Sequence, residues 1–269
     1  MITFFFLLFG SAVGSFLNVL IDRLPRDESF VKGRSYCDNC KKRLLWYDLI
    51  PLLSFIVLKG KCRHCQSPIS FYYPTVELLT GIVFVLVFLF LPHENIKYQI
   101  SSIKYAIELF YYLYITSSLI VVFFADLKYG IIPDKIVYPA ILVSLVFLIS
   151  PPSGEAGQHP NILISSLLSA LGAFLFFLLL FLITKGRGMG FGDVKLVFLL
   201  GIFLGWPKII VAFYVAFLTG AAVGCILILW RKKKLKGGTI PFGPFLVAGA
   251  IISLLWGEII INYAFRFLL

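Results

Sequence analysis

Apolar runs of bilayer-crossing length recur along almost the whole chain and leave little else to fold. A helix needs about 20 mostly apolar residues to span hydrocarbon. Such runs cover residues 2–20, 74–92, 104–125, 133–150, 161–183, 193–206, 208–230 and 240–262. With 60% hydrophobic residues among 269, a soluble domain of this length is excluded. The pattern predicts an all-α integral membrane protein of about eight transmembrane helices, the sixth the shortest.

Residues 21–73, between the first two spans, form the only sizeable polar region. The expected division is therefore a first helix at 1–20, an insert at 21–73 and a polytopic membrane domain at 74–269. Orientation follows from Lys and Arg, which concentrate in cytoplasmic loops. Ten of the 24 lie in residues 21–73, two in 126–135, three in 184–195 and five in 231–239. The opposite set of connections holds only Lys97, Lys104, Lys208 and Arg266. The insert is thus expected in the cytoplasm of a cell (inner) membrane protein, with both termini outside. The net charge of +11 follows from the same loop bias and from attraction to anionic lipid, so the lipid bilayer is an expected partner and nucleic acid is not. The run Arg231-Lys232-Lys233-Lys234 reads as a stop anchor. The first span has its basic flank, Arg23 and Arg26, after it. That is the reverse of a secretory signal, so it is expected to stay attached. No internal repeat is evident.

The insert carries Cys37-Asp38-Asn39-Cys40 and Cys62-Arg63-His64-Cys65. Paired knuckles of this spacing suit a closed tetrahedral zinc site. A reduced cytosol favours metal over disulfides, and an insert this small gains from a metal staple. With four thiolates the metal is structural. His64 is read as a surface residue and Cys225, mid-span, as a small packing residue.

Two aspartates stand at the edges of apolar runs. Asp126 closes Leu113 to Ala125, and Asp193 opens Val194 to Gly205 within Gly190-Phe191-Gly192-Asp193. The charge-derived topology puts both at the cytoplasmic face. Asp before an apolar helix is a good N-cap, which accounts for Asp134 and could account for Asp193, with Gly190 and Gly192 as turn residues. It does not account for Asp126, which sits at a helix C-terminus, where the macrodipole disfavours a carboxylate. Glu77 lies in the first turn of the second span, where the dipole favours it. Two carboxylates sharing one proton suit peptide hydrolysis, one activating water and the other polarising the carbonyl. Lys195 and the glycine turn favour ionisation of Asp193, so Asp126 is expected to carry the proton. Neither a Ser-His arrangement nor HExxH is available: His93 and His159 fall on the outer side.

The motifs taken together resemble the bacterial type IV prepilin peptidases, membrane aspartic proteases of the GxGD type. The resemblance rests on Gly14-Ser15-Phe16-Leu17-Asn18-Val19 with Arg23-Leu24-Pro25, on the cysteine pairs flanking Trp46-Tyr47-Asp48-Leu49-Ile50-Pro51, and on Tyr73-Pro74-Thr75-Val76-Glu77. It continues through Asp126-Leu127-Lys128-Tyr129-Gly130-Ile131-Ile132-Pro133-Asp134, Gly188-Met189-Gly190-Phe191-Gly192-Asp193-Val194-Lys195 and Ile240-Pro241-Phe242-Gly243-Pro244-Phe245. It implies catalysis by Asp126 and Asp193, supported by Gly190, Gly192, Asp134 and Lys195. It implies prepilin or pseudopilin substrates of type IV pilus and type II secretion systems, cut after a glycine that ends a short basic leader and precedes an apolar helix. It also implies methylation of the new N-terminus from S-adenosylmethionine. No motif locates that cofactor, and Glu77 is the one candidate residue. The insert departs from the commonest family form in having Asp38 rather than a proline after the first cysteine.

Two other readings use the same residues. A proton- or cation-coupled transporter would use the aspartates as a relay, but it calls for mid-membrane polar residues and repeat symmetry. A scaffold built on the insert would tolerate loss of Asp126. The stretch Gly237-Gly238-Thr239-Ile240-Pro241-Phe242-Gly243-Pro244 is expected to line the acid pair's cavity, because irregular backbone at membrane depth needs cover.

Overall fold

The computed structural model describes residues 1–30, 33–37, 39–90, 103–150, 160–186, 188–230 and 241–268. Asp38, Arg231 to Lys234 and Gly237 to Ile240 lie outside them. The described helices are α1 (Ile2–Arg23), α2 (Leu53–Val57), α3 (Tyr72–Phe90), α4 (Ile103–Tyr129), α5 (Asp134–Ile149), α6 (Pro160–Thr184), α7 (Phe191–Leu204), α8 (Lys208–Leu229) and α9 (Gly243–Leu268). Among these residues there is no strand, only two isolated bridges, Tyr36 to Arg43 and Lys61 to Pro68. The protein is an all-α multi-pass membrane protein. Six helices, α1, α3, α4, α6, α8 and α9, are long and apolar enough to cross a bilayer. At 16 and 14 residues, α5 and α7 fall short of that length.

The chain divides into two compact units, Met1–His93 and Glu94–Leu269. In the first, α1 and α3 run antiparallel along a seam of small residues. A methyl group added at Gly10 would lie 2.8 Å from Gly81 Cα, one at Gly14 2.8 Å from Glu77 Cα, and one at Gly81 2.8 Å from Leu7 O. Gly10 and Gly14 form a GxxxG pair, which lets helix backbones approach where no hydrophobic drive joins them. Phe6 stacks on Phe88 at 4.4 Å beyond the seam. At the other end Asn18 Nδ2 donates to Tyr73 O (3.1 Å) and Tyr73 Oη to Asp22 Oδ2 (2.9 Å). The insert leaves α1 and returns to α3 at this end.

In the second unit α7 is the central element. Asp193, Val194, Leu196, Val197 and every residue from Leu199 to Leu204 are buried. A helix apolar on all sides must be enclosed, and α5, α6, α8 and α9 pack on it. Enclosure by protein is why α7 needs no lipid-spanning length. α6 keeps an outward stripe, Leu168, Leu171, Leu175, Leu179 and Leu182, exposed at helical spacing, which suits lipid. Cys225 is exposed, contrary to the expected packing role. Its phase on α8 aligns it with outward-facing Leu218 and Leu229.

Candidate active site

Asp126 lies in the last turn of α4. That helix closes on Gly130, whose N–H bonds Asp126 O at 2.8 Å and whose φ of +67° is the left-handed conformation glycine adopts freely. The Asp126 side chain is 6% exposed. Its Oδ2 accepts from the N–H of Gly243, the first residue of α9, at 3.0 Å. A methyl group at Gly243 would lie 2.6 Å from that oxygen, so only glycine brings its amide this close. Asp126 does sit in the last turn of its own helix, where the macrodipole disfavours a carboxylate, and α9 offsets this with an amide from 117 residues away.

Asp193 is the third residue of α7 and is also 6% exposed. It is not the N-cap. Its Oδ2 reaches back to accept from Gly190 N–H at 3.1 Å, half of a capping box. Its Oδ1 is buried with no hydrogen-bond partner among the described residues. Asp126 and Asp193 lie near enough to interact electrostatically. Each thus takes one amide from a helix N-terminus, so the geometry does not separate their roles in the way the dipole argument did.

Gly192 packs against the loop before α5, where an added methyl would meet Ile132 Cβ at 3.0 Å. Gly190 has φ −78° and open contacts, with Asp193 Oδ2 at 3.7 Å from an added methyl. Asp134 does not cap its helix: Pro133 occupies the N-cap, with no side-chain bond. Asp134 Oδ1 instead accepts from Lys195 Nζ at 2.7 Å. Lys195 also lies over the Tyr138 and Phe191 rings, at 5.3 and 5.2 Å. The lysine is therefore committed to Asp134 and aromatic faces rather than to Asp193. Gly243 is the residue whose particular role sequence reasoning missed; its place in a Pro-Phe-Gly-Pro turn was the available signal.

The insert brings its four cysteine sulfurs within 4.8 Å of one another. Each pair sits in the same loop. Cys37 N bonds Lys42 O and Lys41 N bonds Cys37 O; twenty-five residues on, Cys62 N bonds Ser67 O and Gln66 N bonds Cys62 O. Lys41 and Gln66 both have φ of +56°. The insert is thus a duplicated knuckle, a repeat not evident in the sequence. Cys37 and Cys65 sulfurs are 3.8 Å apart, matching the edge of roughly 3.8 Å in a tetrahedron with metal–sulfur bonds near 2.3 Å. Ser67 Oγ, 3.1 Å from Cys65 Sγ, is the main cause drawing that thiol down to about 6. The Lys42 amide favours the Cys40 thiolate, yet burial and the neighbouring sulfurs push it up to about 11. Four adjacent thiolates need a cation, and the cluster suits a metal. Exposed His64 stays outside it. Glu77, in the first unit, accepts from Leu52 N at 2.9 Å through Oε2, so it ties the insert to α3.

A helical membrane protein with two interacting buried aspartates and a four-cysteine insert is the class defined by this fold. A family model described as the bacterial peptidase A24 N-terminal domain matches residues 8–91, and one for the type IV leader peptidase family matches residues 113–225. The chain is 35% identical over 258 residues to a prepilin leader peptidase/N-methyltransferase of Bacillus subtilis (strain 168), covering 95% of each. It is 32% identical to the proteins of the same name from Legionella pneumophila and Aeromonas hydrophila, over 95% of this chain and 92% and 91% of theirs. No solved structure matches. The chain belongs to the type IV leader peptidase family.

Proposed function

We propose that this protein cleaves the leader of prepilin-like substrates with Asp126 and Asp193 and methylates the new N-terminus. The observation that carries the proteolytic part is the pair itself: two buried carboxylates from α4 and α7, interacting, with Asp193 Oδ1 left free to bond a water or a shared proton. Close carboxylates hold one proton between them. The ionised member takes a proton from water, which attacks the scissile carbonyl. The protonated member bonds the carbonyl oxygen and steadies the charge that develops there. Gly190 and Gly243 amides hold the two side chains in place, and the Asp134–Lys195 pair fixes the start of α7 against α5.

The substrate enters as an apolar helix with a short basic leader, cut after a glycine at the cytoplasmic face of the inner membrane. The basic-loop bias supports this orientation, with the insert in the cytoplasm and both termini outside. The insert's cysteines hold a structural zinc, which contributes folding free energy rather than chemistry because four thiolates close its coordination. S-adenosylmethionine, when bound, supplies the methyl group for the freed amine. The insert is assigned to methyl transfer and the second unit to proteolysis, so the two activities are separable. Several insert substitutions that each reduced both activities equally would argue for one shared site.

The test is cleavage of a membrane-embedded prepilin by purified protein, read by mass spectrometry. Asp126→Asn and Asp193→Asn are each expected to abolish cleavage while insertion and melting temperature hold. A fully active Asp126→Asn protein overturns the assignment.

A further inference from the structure

The first unit encloses a cavity of about 420 Å³. It opens between the last turns of α1, the first turn of α3 and the two cysteine knuckles. Asn18, Asp22, Tyr36, Phe55, Tyr73 and Glu77 are among the residues that line it. Pockets for small organic ligands run to roughly 300–1,000 Å³, apolar with a few placed polar groups, and this one is within that class.

One of its groups lacks the partner that burial demands, and a second is a carboxylate bonded only to neutral groups. Asn18 is 6% exposed, and its amide nitrogen is committed to Tyr73 O. Its Oδ1 is buried with no hydrogen-bond partner among the described residues. A buried acceptor of this kind is costly unless something donates to it. Glu77 has only neutral partners, the Leu52 amide and the Ser15 hydroxyl. It makes no ion pair among the described residues. Asp48, on the same wall, is neutralised by Arg63 at 2.9 Å. The cavity thus offers a carboxylate outside any ion pair among the described residues, an unpaired acceptor and aromatic rings together, with Arg23, Arg26 and Arg63 elsewhere on its lining.

We propose that this cavity is the methyl-donor site and binds S-adenosylmethionine, Glu77 facing its cationic end and Asn18 Oδ1 accepting from one of its N–H or O–H groups. The ligand carries a net positive charge, an aromatic base and several donors, which complement a carboxylate, aromatic rings and an unpaired acceptor. Cys37 and Cys62 also line the cavity, so the metal cluster forms part of its wall. That links an intact insert to donor binding without bringing the metal to the reacting atoms. The inference rests on the methyltransferase reading above.

The experiment is equilibrium binding of S-adenosylmethionine to the purified, metal-loaded protein in detergent, followed by photo-crosslinking of labelled S-adenosylmethionine and peptide mapping. The parent protein is expected to bind one molecule per chain. Glu77→Gln and Asn18→Ala are each expected to raise Kd about tenfold or more, the loss of one strong polar contact. Metal content and melting temperature serve as controls that both variants are folded. The crosslink is expected within residues 15–77. Undiminished binding by both variants, with the label on residues of the second unit, overturns this site and leaves the methyltransferase reading standing. No binding by the parent defeats that reading itself. A basic leader peptide that binds instead, and weakens alone on Glu77→Gln, assigns the cavity to the substrate and overturns the proposal.

Discussion

Replacing Gly243 with alanine sets a methyl group against the carboxylate of Asp126. The added carbon would lie 2.6 Å from Oδ2, 3.2 Å from Cγ and 3.4 Å from Cβ. Ordinary contact begins near 3.4 Å, so the oxygen must retreat by roughly 0.8 Å, and a misplacement of about 1 Å in a reacting group costs on the order of a hundredfold in rate. The retreat also breaks the 3.0 Å bond from Gly243 N–H. A hydrogen bond to a charged group contributes about 1.5–3 kcal/mol. The expected result is a folded protein, lower in melting temperature, whose prepilin cleavage falls about a hundredfold, the loss lying in kcat. The assay is the initial cleavage rate in proteoliposomes at equal inserted protein. Gly172→Ala is the control, since an added methyl there meets nothing within 4 Å. Cleavage by Gly243→Ala at the parent rate would refute the idea that Gly243 positions Asp126.

Asp134→Asn removes an ion pair whose carboxylate is 52% exposed; such pairs contribute up to about 1 kcal/mol, so cleavage should fall by less than about tenfold, and a complete loss would mean a direct role. Metal analysis should find about one zinc per chain, with Cys62→Ser losing it; protein that purifies without metal, never having met a chelator, and is folded with all four cysteines freely alkylated would contradict the site. In metal-free protein, Cys65, drawn down to about 6, is largely thiolate at pH 7.5, whereas Cys40, pushed up to about 11, is not. Alkylation timed by mass spectrometry should therefore label Cys65 before Cys40, with Cys65 losing reactivity only as the pH falls through its pKa; the reverse order would refute this.

What was legible in the sequence is what depends on local pattern. Run length placed α1, α3, α4, α6, α8 and α9, because hydrocarbon thickness leaves few alternatives. Cysteine spacing located the cluster, because ligand geometry constrains both loops. What could not be read depends on partners far apart in the chain. Asp134 looks like a cap until Lys195, 61 residues on, takes its carboxylate. Gly243 meets Asp126 only once α9 is packed. The duplicated knuckle escaped notice because little beyond the cysteines repeats; the likeness lies in hydrogen bonds and two left-handed residues. The Gly10–Gly14 pair passed unremarked in the sequence, because it gains meaning only with Gly81 opposite.

That pair has a consequence for the insert it carries. Both ends of the insert are tied to the same two helices, one leaving Arg23 and the other arriving at Tyr72. Meshed backbones at Gly10, Gly14 and Gly81 can re-engage only in whole turns, about 5.4 Å apart. The seam therefore works as a vernier, fixing how far the end of α1 stands above the start of α3. A leucine at Gly81 would do more than loosen two helices. It would offset the anchors at Asn18 and Tyr73, so that a change deep among apolar residues is read out as a distorted polar loop far along the same helix pair.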